Sequence, residues 1–286
     1  MTFSTPFYPG AEVALACDDV NFCAIASILR QETGIILPPG NNSLVVSRLI
    51  KHLRKLKISS FREYVSWVED PANELDRAKM ISSLTTNTTH FFREEYHFDY
   101  LAEHVINDLK RIAGVGGRVR LWSAGCSSGE EVYSLAATLL YHWPEIVLAD
   151  VRILATDISI DALAAAKEAR YSREKLASVP AAIRSLMLQD ASPSDDTVTM
   201  PDAIRKLVSV RYLNFMEPWP TKGPFHVIMC RNVAIYMDDV VQEHIFTGLF
   251  DQLAPEGVLF IGHSERLPSE LSKKVVLVDR TTFRRV

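Results

Sequence analysis

The sequence predicts an α/β chain in two parts: an all-helical N-terminal domain, then a Rossmann-like parallel sheet interrupted by a small β-lobe. Three observations carry that expectation. From Asp18 to about Tyr96 apolar residues recur at three- and four-residue spacing, as in Phe22, Ile25, Ile28 and Leu29, the period of helices buried on one face. From about Arg118 short apolar runs alternate with helical segments, the pattern of a parallel sheet covered on both sides. Between the second and third of those sheet strands the connection, residues 171–213, is too long for a simple crossover and predicts an insertion. A chain of 286 residues, 48% hydrophobic and 23% charged, accommodates one large domain or two smaller ones and is neither disordered nor fibrous.

The boundaries drawn on these grounds are 12–95 for the helical domain, 96–117 for a linker helix and 118–286 for the sheet domain, with the insertion at about 172–213. In the helical part, Pro38 to Ser43 is a turn with N-cap residues, and the helix after it places Val46, Leu49, Ile50, Leu53 and Leu56 on one face. Arg48, Lys51, Arg54, Lys55 and Lys57 lie off that stripe, with no acid between Arg48 and Arg62. A solvated basic face is the simpler reading. Its one-sidedness also suits docking to an acidic partner. In the sheet part, residues 119–123 form a strand, 124–129 a glycine turn and 130–141 a helix. Strand 151–155 ends in Thr156-Asp157 before an alanine-rich helix at 161–170, and strand 225–230 runs into Arg231-Asn232 and a helix at 239–253. A strand at 258–262 and two β-rich runs at 274–278 and 281–285 close the sheet, the last two as an antiparallel edge hairpin.

Charge and cysteine content narrow the function. With 31 Lys+Arg against 35 Asp+Glu, the net charge of −4 provides no long-range attraction for nucleic acid. Cys17, Cys23, Cys126 and Cys230 make no CxxC pair, which indicates a reducing compartment and no structural zinc; Cys126 and Cys230 are read as packing residues. The start MTFSTPFYPG lacks the features of a signal peptide and no apolar run reaches a membrane span, so a cytoplasmic protein without membrane insertion is expected.

In open α/β sheets ligands bind beyond the carboxyl ends of the strands. Those ends here carry Gly125 and Gly129, Asp157, and Arg231-Asn232. The glycine turn lacks both the GxGxxG of a dinucleotide site and the Gly-Lys-Ser/Thr of a P-loop. Glu130 and Glu131 stand on the first helical turn, where a phosphate would otherwise sit. Two carboxylates there repel an anion and favour a cationic ligand. S-adenosylmethionine meets the requirement: it carries a sulfonium and an ammonium, has no phosphate, and presents a ribose diol to an acid such as Asp157. The alternative is that the two glutamates complement the helix dipole and Asp157 caps the next helix.

Residues 84–94 (LTTNTTHFFRE), 122–134 (WSAGCSSGEEVYS), 155–158 (ATDI), 225–236 (FHVIMCRNVAIY) and 262–265 (GHSE) together closely resemble the CheR family of chemotaxis receptor glutamate O-methyltransferases. The likeness runs from about Asp18 to the C-terminus in the family's motif order. It implies an S-adenosylmethionine-dependent methyltransferase sheet, an N-terminal all-helical domain, a small inserted β-subdomain, and esterification of glutamates on the cytoplasmic signalling domain of chemoreceptors, with S-adenosylhomocysteine as product and no metal. Carried over by position, it implies cofactor contacts from Asn87, Thr89, Arg93, Glu131, Asp157, Asn214, Phe215, Arg231 and Asn232, with Arg93 and Tyr236 at the transfer site. Gly125, Ser128 and Val132 depart from the family's commoner alanine, threonine and proline without removing a polar contact; His90 is read as a helix surface residue. Some members also tether to a receptor C-terminal pentapeptide through a glycine-containing loop of the β-subdomain. No glycine occurs here between Gly129 and Gly223, so no such tether is expected; separately, the protein is expected to be a monomer. An adenine-N6 nucleic-acid methyltransferase would carry prolines after Asn232, where this chain reads Val233-Ala234-Ile235-Tyr236. A non-catalytic cofactor-binding adaptor would share the fold, but the retained Arg93 and Tyr236 disfavour it.

Overall fold

The computed structural model describes residues 16–286; residues 12–15 of the helical domain as delimited above and the MTFSTPFYPG start lie outside them. The helical part consists of α1 (Asp19–Thr33), α2 (Asn42–Leu56), α3 (Phe61–Glu69) and α4 (Glu74–Leu84). Local chemistry sets their ends. Asp18 accepts the Asn21 backbone N–H at the start of α1, Gly34 closes it at φ 75°, and Ser60 caps α3 by accepting from the Glu63 N–H. Ile25, Leu29, Leu49, Leu53, Phe61, Tyr64 and Met80 fill a core of this domain's own. On α2 the buried side chains are Val45, Leu49, His52 and Leu53, so the apolar stripe is rotated from the predicted one, and Val46, Ile50 and Leu56 lie at its edges. His52 enters the core because its ring nitrogens meet the Tyr64 hydroxyl at 2.8 Å and the Asp76 carboxylate at 3.3 Å.

Residues 96–114 form one helical rod, α5 (Tyr96–Tyr100) and α6 (Ile106–Gly114) joined by a π-turn at Leu101–Val105. This is no linker. Phe98, Leu101, Val105, Ile106 and Leu109 lie in the same core as Val119 and Leu121 of the sheet, so the rod is one of the sheet's covering helices. The remaining elements are β1 (Val119–Ala124), α7 (Glu130–His142), β2 (Val151–Asp157), α8 (Ile160–Glu168), β3 (Arg170–Ser172), α9 (Ala181–Met187), β4 (Thr197–Thr199), α10 (Asp202–Arg205), β5 (Val208–Tyr212), β6 (Phe225–Cys230), α11 (Asp239–Gln252), β7 (Leu253–Ile261), β8 (Val275–Asp279) and β9 (Thr282–Arg285).

The seven-stranded sheet has the order β5-β2-β1-β6-β7-β9-β8, parallel from β5 to β7, with β9 and β8 adding antiparallel at one edge. Alternate residues of the central strands serve opposite cores: Leu121, Ile153, Val227 and Met229 face one, Trp122, Ile228 and Cys230 the other. The insertion is smaller than drawn. Val208–Tyr212, which the boundary at 213 places inside it, pairs in parallel with Ile153–Asp157 and is an edge strand of the main sheet. What remains is a two-stranded antiparallel pair, β3 with β4, and the helices between and after them.

Candidate active site

The two parts meet over the carboxyl ends of β1, β2 and β6. Ile36 donates its N–H to the Tyr236 carbonyl at 2.9 Å, Ile35 bridges Met237, and Ser82 on α4 meets the Ser159 hydroxyl at 2.8 Å. Residues of both parts enclose a crevice, lined by Thr33, Ile35 and residues 85–89 on one side and by the ends of β1, β2 and β6 on the other. Its floor begins at the glycine turn. Gly125 sits at φ 90°, and a Cβ there would come within 2.3 Å of the Val233 Cγ2, so in this chain glycine lets the Val233 side chain pack against the turn after β1. The N–H groups of Gly125 and Cys126 both donate to the Thr156 carbonyl, and the Ser127 N–H donates to Asp157 at 2.8 Å. The other Asp157 oxygen accepts the Ser159 N–H, also at 2.8 Å. Burial pushes the Asp157 carboxyl up, against these backbone donors, which favour its anion. Asp157 therefore organises the turn as well as facing the crevice.

Glu130 and Glu131 do not act as a pair. Successive helical residues point about 100° apart, and only Glu131 lines the crevice. Glu130 is fully buried on the other side, accepting from Lys175 of the insertion and from the Ser128 hydroxyl, each at 2.6 Å. Glu131 accepts the Ser123 hydroxyl at 2.7 Å and the Arg231 guanidinium at 3.2 Å. Burial pushes its carboxyl up, with Arg231 and Ser123 opposing. Arg231 is buried too: it lies 3.6 Å from Glu94 and donates to the Arg93 carbonyl. Two acids thus neutralise it, and it joins the Arg93 segment to the sheet.

Arg93 stands between two non-glycine residues in the left-handed region, Phe92 at φ 54° and Glu94 at φ 57°, which turns its side chain into the crevice. Its guanidinium donates to the Thr88 carbonyl at 3.1 Å, leaving further donors for a ligand. Asn87 donates to the hydroxyls of Thr85 and Ser159. Asn214 reaches across the domain boundary to the Glu32 carbonyl at 2.7 Å and accepts the Met216 N–H at 3.0 Å, so its side chain acts as a seam between domains. Phe215 packs on Trp219 beside the crevice, Thr89 lines it, and Tyr236 is partly exposed where it opens.

Residues 87–283 match the family described as "CheR methyltransferase, SAM binding domain", and residues 21–85 match "CheR methyltransferase, all-alpha domain". The chain belongs to the CheR methyltransferase family. It is 41% identical over 258 residues to the "Probable chemotaxis protein methyltransferase" of Rhizobium etli, spanning 90% of this chain and 96% of that one. Against "Chemotaxis protein methyltransferase 2" of Vibrio cholerae the identity is 34% over 253 residues, 87% of this chain and 86% of the relative. Against the "Chemotaxis protein methyltransferase" of Escherichia coli it is 33% over 273 residues, 94% and 92% respectively.

In this CheR-family chain the nine positions marked for the cofactor and Tyr236 all line one crevice. The basic helix is less uniform. Lys51, Lys55 and Lys57 are exposed, but Arg48 is half-buried and donates to the Leu84 carbonyl at 2.5 Å and the Thr85 carbonyl at 3.1 Å, pinning α2 to the end of α4 and the loop that carries Asn87. Arg54 is exposed and has an interaction of its own. His90 is exposed as expected but lies in a loop, not on a helix. Cys126 and Cys230 are buried and burial raises both thiols, in keeping with packing roles.

Two acids escaped the sequence reading although both lie in its motifs. Glu265 accepts four backbone N–H groups: Val233 and Ala234 at 2.8 Å on one oxygen, Asn232 at 2.9 Å and Gly262 at 2.7 Å on the other. It fixes the turn that presents Asn232, itself at φ 59°, and Tyr236. Glu94 bonds the His263 ring at 3.0 Å and faces Arg231; burial alone would raise its carboxyl, but His263 and Arg231 together hold it at about 2. Among the described residues no group of three or more His, Cys, Asp or Glu is arranged to hold a metal ion.

Proposed function

We propose that this chain transfers a methyl group from S-adenosylmethionine to glutamate side chains on the signalling helices of chemoreceptors, forming glutamate methyl esters. The observation that carries the reading is the convergence of Arg93, Tyr236, Glu131 and Asp157 on one crevice between the helical domain and the sheet. The donor set fits the cofactor: two acids suit a ribose diol and a cationic amino-acid end, Phe215 offers an apolar wall, and Glu94 and Glu131 offset the charge of Arg231. When bound, S-adenosylmethionine supplies an electrophilic methyl on a sulfonium. The residues of the chain have less to do. A receptor glutamate, with an ordinary pKa near 4.3, is already an anion at neutral pH, so no general base is needed. Arg93 holds that carboxylate with the guanidinium donors not spent on Thr88, and Tyr236 orients it at the mouth. Placement in a water-poor crevice then does most of the catalysis, where orientation contributes up to ~7–11 kcal/mol in favourable systems. Because Arg93 also stabilises the bound ground state, its contribution lies more in placing the acceptor than in lowering the barrier.

Receptor engagement in this reading uses the exposed lysines of α2 and needs no pentapeptide tether. The turn corresponding to a tethering loop is closed on itself: Asp195 accepts the Ser192 N–H at 3.0 Å, and Arg173 donates to the carbonyls of both Ser192 and Asp195. The test is transfer of labelled methyl from S-adenosylmethionine to receptor signalling fragments, followed by mild base. Base-labile label on the receptor supports esterification; base-stable label indicates N-methylation, and cofactor binding without transfer indicates an adaptor.

A further inference from the structure

A second depression adjoins the crevice and is not explained by cofactor binding. Ile36, Leu37, Pro38, Leu44 and Ile235 make it an apolar trough, and Ile35, Thr86, Tyr236 and Met237 line both it and the crevice. Ile36 and Ile235 are each 39% exposed, so the trough is open to a partner. Its α2 wall has a direction. Asn41, Leu44 and Arg48 line it at helical three- and four-residue spacing, and the same spacing continues to Lys51 and Lys55, both exposed. Along this ridge Leu44 and Arg48 stand beside the mouth, and the exposed Lys51 lies about 10 Å beyond Leu44, seven residues on, with Lys55 after it.

From this we infer that the trough is a specificity subsite for an amphipathic acceptor helix, and that it selects an apolar residue one helical turn from the glutamate placed at the mouth; the inference rests on the esterification reading above. Residues three or four positions from that glutamate lie 5–6 Å away on the same helix face, which puts one of them over Ile36 and Leu44. An acidic side chain there would lose water against these apolar side chains, and the Arg48 guanidinium beside it is already engaged by the Leu84 and Thr85 carbonyls and the Thr86 hydroxyl. Further along, acidic residues of the acceptor helix meet Lys51 and Lys55, which fixes its direction. The trough therefore reads the residue beside the glutamate, and the lysines read the charge beyond it.

The experiment uses the full chain, helical receptor fragments, and the variants Ile36→Asp, Leu44→Ser and Ile36→Leu. The expected result is a receptor KM raised at least tenfold by Ile36→Asp, a smaller rise for Leu44→Ser, parent behaviour for Ile36→Leu, and S-adenosylhomocysteine affinity by calorimetry within twofold throughout. Placing Asp one turn from the acceptor glutamate in the fragment should mimic Ile36→Asp. The salt dependence of KM should survive Ile36→Asp and be lost in Lys51→Glu/Lys55→Glu. A receptor KM unchanged within twofold in folded Ile36→Asp overturns the subsite while leaving esterification intact. Dimerisation of the parent that Ile36→Asp abolishes would give the trough to a second copy and also overturn it. A parent chain that binds S-adenosylhomocysteine but esterifies no fragment overturns the function itself, and the subsite falls with it.

Discussion

Replacing Glu265 by Gln tests whether the turn after β6 is held by one carboxylate. Each Glu265 oxygen accepts two backbone N–H groups at 2.7–2.9 Å, and the residue is 5% exposed. Whichever way a glutamine amide is placed, its NH₂ faces two donors, and both lose their acceptor. At about 1–3 kcal/mol for each buried donor left unpaired, the loss is ~2–6 kcal/mol. For a chain of this size, at roughly 2 °C per kcal/mol, Tm should fall by about 4–12 °C. The same change frees the backbone that presents Asn232 and Tyr236, so receptor kcat/KM measured well below Tm should drop about tenfold or more. Glu265→Asp keeps the charge but is one methylene shorter and should fall between the two. Thermal unfolding and methyl transfer on the same preparations decide the matter: a Tm within about 1 °C of the parent together with kcat/KM within twofold would refute the clamp.

Arg93→Ala should lower receptor kcat/KM by about 10²-fold, the usual loss for one donor aimed at reacting groups, with little change in Tm because the guanidinium's bond is to the Thr88 carbonyl at the surface; transfer within a few-fold of the parent at saturating cofactor would remove its role. Asp157→Ala should weaken S-adenosylhomocysteine binding by about 1.5–3 kcal/mol in calorimetry, the range for a hydrogen bond to a charged group. It should also lower Tm, because Ser127 and Ser159 lose their acceptor. Acid should destabilise the fold in two stages. Burial first, and then Arg231, depress the His97 imidazole from 6.5 to about 4, so the unfolded chain binds the extra proton and stability falls as pH drops through that window. Glu94, held at about 2 against 4.5 when free, contributes stability present above 4.5 and lost as pH falls towards 2. Glu94→Gln should therefore flatten the lower part of the Tm-versus-pH curve, and an unchanged slope would contradict the Glu94 assignment.

The sequence by itself determined the backbone plan and the place of the crevice. β1, β2 and β6 are parallel strands buried on both faces, so each reads as a short apolar run, bounded by Gly125 after β1, Asp157 at the end of β2 and Arg231 after β6. The helical domain was legible for a related reason, since a helix that buries one face repeats at a fixed local period. Only the tertiary structure decided the roles of the charged residues. Glu130 and Glu131 are neighbours in sequence, yet one answers Lys175, 45 residues away, and the other Arg231, 100 residues away. Arg48 looked like part of a free basic face until the end of α4 supplied the carbonyls it binds. Val208–Tyr212 looked like part of the insertion because the long connection after β2 carries no mark of where the insertion ends, and only its pairing with β2 places it in the main sheet. Periodicity reports which face of an element is buried; the partner of a charge is set by chain segments far apart in sequence, and no local pattern encodes which segment arrives there.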